Sequence, residues 1–171
     1  MRKPGISGTT RLACVAAIGA FVLSIGPVRL GATTATSTLA VSATVISSCT
    51  VLPGTLSFGN YNPTSGSPLD IDGSFTVACT TGTAPVVGLG LGLNPTGSTR
   101  RMISGLQYLT YEIYKETGRT NVWGDSGGAT VTLAAAPSIL PQTVSVFGRI
   151  PASQSASTGV FLDTVAITLT F

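Results

Sequence analysis

The chain has 171 residues, enough for one domain, with 9% charged residues, 21 glycines and no histidine, a balance that points to a secreted all-β protein. Without histidine there is no Ser-His-Asp or Cys-His arrangement, and no run of residues has the ligand spacing of a zinc site. The formal charge of +3 does not argue for nucleic acid: four of the nine basic residues (Arg2, Lys3, Arg11, Arg29) lie in an opening segment expected to be removed, leaving five against six acidic ones, about −1.

That opening segment has Arg2, Lys3 and Arg11, then an apolar run over Leu12–Ile25, then small residues around Ala32 and Ala35. The pattern predicts a secretory signal peptide over 1–35, cleaved near Ala32 or Ala35. The apolar run is about 14 residues, short of the roughly 20 that span a bilayer, so no stable membrane span is expected. Cys14 leaves with this segment. Cys49 and Cys79 remain in a chain exported to an oxidising compartment, where a disulfide is expected rather than two free thiols. Closing a loop of that length is worth roughly 3 to 4 kcal/mol on the chain-entropy model.

The rest of the chain reads as strands and turns, with no convincing helix. Strands are predicted over 38–46, 50–58, 74–79, 86–93, 106–115, 129–133, 143–150 and 160–171. Between them NYNPTSGSP, NPTGST, GDSGG and PASQSAS carry turn chemistry. Short strands at this spacing predict a sandwich or barrel. Neither a linker nor an internal repeat divides it.

Few residues invite a chemical role. GLGLGLN has neither the glycine spacing of a phosphate loop nor a following helix; it reads as a strand with Leu89, Leu91 and Leu93 on one face and Gly88, Gly90 and Gly92 on the other, where another backbone or a bulky group approaches. The six carboxylates, Asp70 and Asp72 in a Gly/Ser/Pro-rich loop, Glu112 and Glu116 on or beside a strand, Asp125 in a turn and Asp163 beside the last strand, read as solvated groups and turn formers, not as a glycosidase pair. Trp123 reads as packing at a sheet end, and of Tyr108, Tyr111 and Tyr114 part is expected in the core. No cofactor is implied, and an enzyme is not expected.

Both ends of the expected mature chain are well-patterned strands. Leu39, Val41, Ala43 and Val45 alternate with Ala40, Ser42 and Thr44, and Val165, Ile167, Leu169 and Phe171 alternate with Ala166, Thr168 and Thr170. The two ends could pair with each other within one chain, or the first could cover the open edge of another molecule by strand addition.

In order and spacing, CTVLPGTLSFGNYNP, FTVACTTG, RRMISGLQYLTYEIYKE, VWGDSGG and VFGRIPASQSASTGVFLDTVAITLTF resemble the spore coat protein U domain, shared by the pilins of archaic (Csu-type) chaperone-usher pili. The resemblance covers the whole mature chain. It implies an incomplete immunoglobulin-like β-sandwich over 47–171, completed by donor-strand complementation. A groove would lie open beside the C-terminal strand, with Val165, Ile167, Leu169 and Phe171 as its acceptor residues. A periplasmic pilus chaperone would fill that groove first; at an outer-membrane usher, the segment over 36–46 of the next subunit would replace it, with Leu39, Val41, Ala43 and Val45 as plugs. The implied product is a structural subunit exported through the periplasm to a cell-surface fibre that supports adhesion or biofilm formation, its partners being other copies of itself or related pilins. Two alternatives use the same domain: a spore-coat or other surface-coat protein, and a carbohydrate-binding tip adhesin.

Overall fold

The computed structural model describes Gly26 and residues 31–171. The basic and apolar parts of the expected signal peptide, with Cys14, lie outside the described residues. The chain divides at Ser42/Ala43 into two units, and the fold below is that of the second.

Eight strands form two antiparallel sheets. In chain order the strands are β1 (Cys49–Thr55), β2 (Leu69–Cys79), β3 (Val86–Leu89), β4 (Arg100–Ser104), β5 (Gln107–Tyr114), β6 (Val131–Thr132), β7 (Gln142–Ile150) and β8 (Ile167–Thr170). The larger sheet has the order β1-β2-β7-β5-β4 and the smaller β6-β3-β8. β1 (Cys49–Thr55) pairs with β2 (Leu69–Cys79), placing Cys49 directly opposite Cys79, and the two are joined by a disulfide as expected. The β1–β2 register shifts between Leu52 and Thr55. Gly54 sits in that irregularity, where a Cβ would run into the Ser74 carbonyl and Phe75, so no side chain fits. β2 then pairs with β7 (Gln142–Ile150) over nine positions, and β7 with β5 (Gln107–Tyr114). Alternation sets the inner face: Phe75, Val77 and Cys79 from β2, Leu109, Tyr111 and Ile113 from β5, and Val144, Val146 and Ile150 from β7 are all buried. From the smaller sheet Val87 and Leu89 of β3 (Val86–Leu89) close the core, with Trp123 between the layers donating its indole N–H to the Val87 carbonyl. The sole helical element among the described residues is a 3-10 turn, Gly127–Ala129.

Several expectations are corrected. β2 begins five residues earlier than predicted, so Asp70 and Asp72 lie on a strand, not in a loop. β4 (Arg100–Ser104) has no counterpart in the sequence reading: its one fully buried residue is Arg100, with Met102 half-buried beside it, and a cation there breaks the apolar alternation that would have marked the strand. β3 stops at Leu89, and Leu93 is 73% exposed, because Gly92 turns the chain at φ +82°. β6 is only Val131–Thr132. The strand predicted over 160–171 is split: Leu162 exchanges two backbone hydrogen bonds with Ile103 of β4, residues 163–166 cross between sheets, and only β8 (Ile167–Thr170) pairs with β3. No strand forms over 38–46, where Leu39, Val41 and Val45 are more than four-fifths exposed and Ala43 is exposed too. A strand exists through its partner, and among the described residues none pairs with this segment.

Candidate functional site: an open cleft between two sheet edges

β8 is paired on one side by β3 and β1 on one side by β2; the opposite edge of each is free among the described residues. These edges belong to different sheets and lie close together. Between them opens a cleft of about 410 Å³. Pro53, Gly54 and Thr55 of β1 form one wall, and the crossing segment from Phe161 to Val165, with Ile167, forms the other. The floor is core: Phe75, Leu89, Tyr111, Ile113 and Val146.

Of the four expected acceptor residues, Val165 and Ile167 line this cleft. Leu169, further along β8, is half-buried against the core, and Phe171 lies beyond the strand and is 56% exposed.

Tyr111 spans the cleft floor. Its ring meets Phe58 edge-on, with centroids 5.9 Å apart, and its hydroxyl donates to Asp163 Oδ2 at 2.6 Å. The second oxygen, Asp163 Oδ1, accepts the Leu93 N–H at 2.8 Å. Burial, then the hydrogen bond to Asp163, pushes the Tyr111 hydroxyl well above its ordinary value, so it stays a donor. A Cβ on Gly92 would overlap the Asp163 carboxylate, so glycine is required there twice over, for space and for φ.

Behind the cleft sits Arg100, with no exposed surface at all. Its guanidinium donates to the carbonyls of Gly90 (2.8 Å), Leu89 (2.8 Å) and Trp123 (2.6 Å) and to Glu112 Oε2 (3.1 Å), tying β4 and β5 to β3 across the two sheets. Burial raises the Glu112 carboxyl above its ordinary value, and the Arg100 N–H and guanidinium oppose that rise. Two further braces fix the large sheet. Arg119, held at φ 51°, donates to the carbonyls of Gly148 and Ile71 and pairs with Asp72, while Arg149 is bidentate on Asp70 and holds that carboxyl below its ordinary range. Where β7 ends, the Gln154 amide replaces a strand by bonding both the N–H and the carbonyl of Thr110 on β5.

For part of the carboxylates the sequence reading is corrected: Asp70, Asp72, Glu112 and Asp163 are structural partners. Glu116 is a turn former as expected, accepting from Thr120 and Asn121 to close the turn after β5, and Asp125 is exposed in a bend. Trp123 is packing, as expected, and Tyr111 is the core member of the three tyrosines. Sequence reasoning missed Arg100 altogether, since a buried cation has no pattern that separates it from its half-buried neighbour Arg101.

Among the described residues no group of three or more His, Cys, Asp or Glu is placed to hold a metal ion, and no helix is long and apolar enough to cross a membrane. The cleft offers apolar surface and unpaired backbone, which suits a β-strand.

Residues 35–168 match the Spore Coat Protein U domain. The chain belongs to that family. Another protein of this kind, Protein U of Myxococcus xanthus, is 36% identical, with 82% of this chain and 87% of that protein covered. Among solved structures, one chain of the CsuC–CsuE chaperone–tip adhesion subunit pre-assembly complex, from archaic chaperone-usher Csu pili of Acinetobacter baumannii, matches with a TM-score of 0.56 at 25% identity, covering 75% of this chain. This chain spans 41% of the length of that one. The Spore Coat Protein U match begins at residue 35, so the exposed alternating segment over 36–46 falls inside the domain.

Proposed function

We propose that this protein is a secreted structural subunit of a surface fibre of the archaic chaperone-usher type, assembled by donor-strand exchange and supporting adhesion or biofilm formation. One observation carries the reading: a cleft between two unpaired sheet edges coexists with a segment, 36–46, whose apolar alternation is complete and whose side chains are exposed. Leu39, Val41, Ala43 and Val45 supply one apolar face for a neighbour's cleft, and the backbone supplies the ladder bonds that β8 lacks. Each buried aliphatic plug contributes about 1.5 to 3 kcal/mol, less for alanine, so four of them and a ladder make a slowly dissociating joint. A periplasmic chaperone would cover the cleft before assembly and an outer-membrane usher would catalyse the exchange; the likeness to a chain from a chaperone–subunit complex supports the first of these. The domains follow: a signal peptide over 1–35, the donor over 36–46, and the acceptor sandwich over 47–171.

The test is a synthetic peptide of residues 36–46 added to the exported chain. It is expected to fill the cleft, cap growing polymers and raise the unfolding temperature. A chain that is monomeric without partners, with an unfolding transition indifferent to the peptide, would sink the reading. A coat protein built on the same domain is the second reading, favoured by the match of residues 35–168 to the Spore Coat Protein U domain; isolation of the chain from a fibre or from a coat layer separates the two.

A further inference from the structure

Three contacts hold the crossing segment that forms one wall of the cleft. Leu162 is bonded to Ile103, Ala166 accepts from Gly90 N–H, and between them Asp163 takes the Tyr111 hydroxyl at 2.6 Å and the Leu93 N–H at 2.8 Å. Only the middle contact is made by side chains, and only it reaches the opposite side of the cleft. Tyr111 rises from the floor, packs edge-on against Phe58 on the β1 side and holds Asp163 on the β8 side. Phe58 is in turn pressed onto Gly148 of β7, where any Cβ would collide with the ring, so the tyrosine is braced against a rigid sheet. The wall, the floor and the β1 side are thus joined through one tyrosine, its hydroxyl holding the wall and its ring meeting the β1 side.

We propose that the Tyr111–Asp163 hydrogen bond is a latch that sets the width of the cleft and positions Val165 and Ile167 for an incoming strand, with Tyr111 and Asp163 as positioning residues for strand uptake. This rests on the reading of the cleft as a strand acceptor. The latch acts on the free subunit: it keeps the wall from swinging onto the floor before a strand arrives, so its effect falls on uptake more than on the global fold, which Arg100, the disulfide and the β2–β7 ladder secure elsewhere.

Tyr111→Phe keeps the ring on the cleft floor and removes only the hydroxyl; Asp163→Asn keeps the shape and removes the charge. The full exported chain at low concentration is mixed with a fluorescent peptide of residues 36–46, and association rate and affinity are followed beside hydrogen exchange. The expected result is uptake weakened about ten-fold or more in each variant, the scale of losing a hydrogen bond to a charged group. The double variant is expected to lose less than the sum of the two single losses, because both act on the same bond. Exchange should quicken over residues 161–167 and at Leu93 while β2 and β7 stay protected. Uptake equal to the wild-type chain overturns the latch and leaves the acceptor reading standing. A loss of protection in β2 and β7 as large as that over 161–167 also overturns it, since the bond would then be ordinary core. A wild-type chain that takes up no peptide overturns both.

Discussion

Arg100 and Arg101 are adjacent in sequence and opposite in environment. Arg100 is fully buried and satisfies three backbone carbonyls and Glu112, whereas Arg101 bonds the carbonyls of Asn94 and Pro95 near the surface and lies 4.0 Å over the Tyr108 ring. Arg100→Ala would strand Glu112 and three carbonyls, and a loss of about 3 to 5 kcal/mol is expected in urea unfolding. Arg101→Ala is expected to cost about 1 kcal/mol or less, as solvent-screened contacts do. Equal losses would refute the division of labour. Acid sensitivity is a second residue-scale property. Glu116 is held down to about 2 by the Thr120 hydroxyl first and then by the Asn121 N–H, against an ordinary value of 4.5. A carboxyl depressed in the folded state lends stability above its unfolded value that is lost as pH falls through the folded one. Unfolding followed from pH 5 to pH 2 should therefore show a shallower decline in Glu116→Gln than in the wild-type chain.

At the scale of elements, the segment over 36–46 and β8 are complementary halves held by different molecules in the proposed assembly. Val41→Asp would set an unpaired carboxylate in an apolar cleft, a cost of several kcal/mol. Ser42→Asp adds the same charge on the other face of the same strand, where it would meet solvent. The first is expected to block polymer while leaving chaperone-bound subunit at wild-type yield, and the second to assemble nearly normally, judged by polymer against chaperone-bound subunit in the periplasm. If Val41→Asp polymerises like the wild-type chain, or abolishes the chaperone-bound form as well, the segment is no donor. β8 explains why the pairing is needed: four residues paired on one side only make a weak strand and an adhesive edge.

For the whole molecule, the disulfide and the open cleft pull in opposite directions. Cys49–Cys79 closes a 30-residue separation and secures β1 to β2, the pair that forms one side of the cleft. Replacing both cysteines by serine should cost roughly 3 to 4 kcal/mol on the chain-entropy model, and alkylation of the unreduced exported chain should leave no modified cysteine at either position. The cleft lowers stability in return, because core residues such as Phe75 and Ile113 line it. Expressed without a chaperone or donor, the exported chain is expected to polymerise or be degraded, and co-expression of a periplasmic pilus chaperone should recover soluble subunit; recovery of a stable monomer without any partner would count against the proposal.

Period-2 alternation, turn residues and cysteine count are local properties, and from them the strand class, β7 to within a residue of its start, the pairing of Cys49 with Cys79 and the two alternating segments are legible in the chain. Its reading failed where a side chain's role depends on distant partners. The carboxylates of Asp70 and Asp72 lie among Gly, Ser and Pro and read as loop, yet the register of β2 on β7 puts Arg149 opposite Asp70. Nothing near Arg100 in the chain announces Leu89, Gly90 and Trp123 as its partners, and a cation in the place of an apolar residue leaves β4 without a local pattern. The cleft, too, is a tertiary fact: its walls come from residues 53–55 and 161–167, more than a hundred positions apart, and only the crossing of the last segment from β4 to β3 leaves a gap between the two sheets. Alternation decides which residues want a partner, and the order of strands in the sheets decides which of them the chain leaves without one.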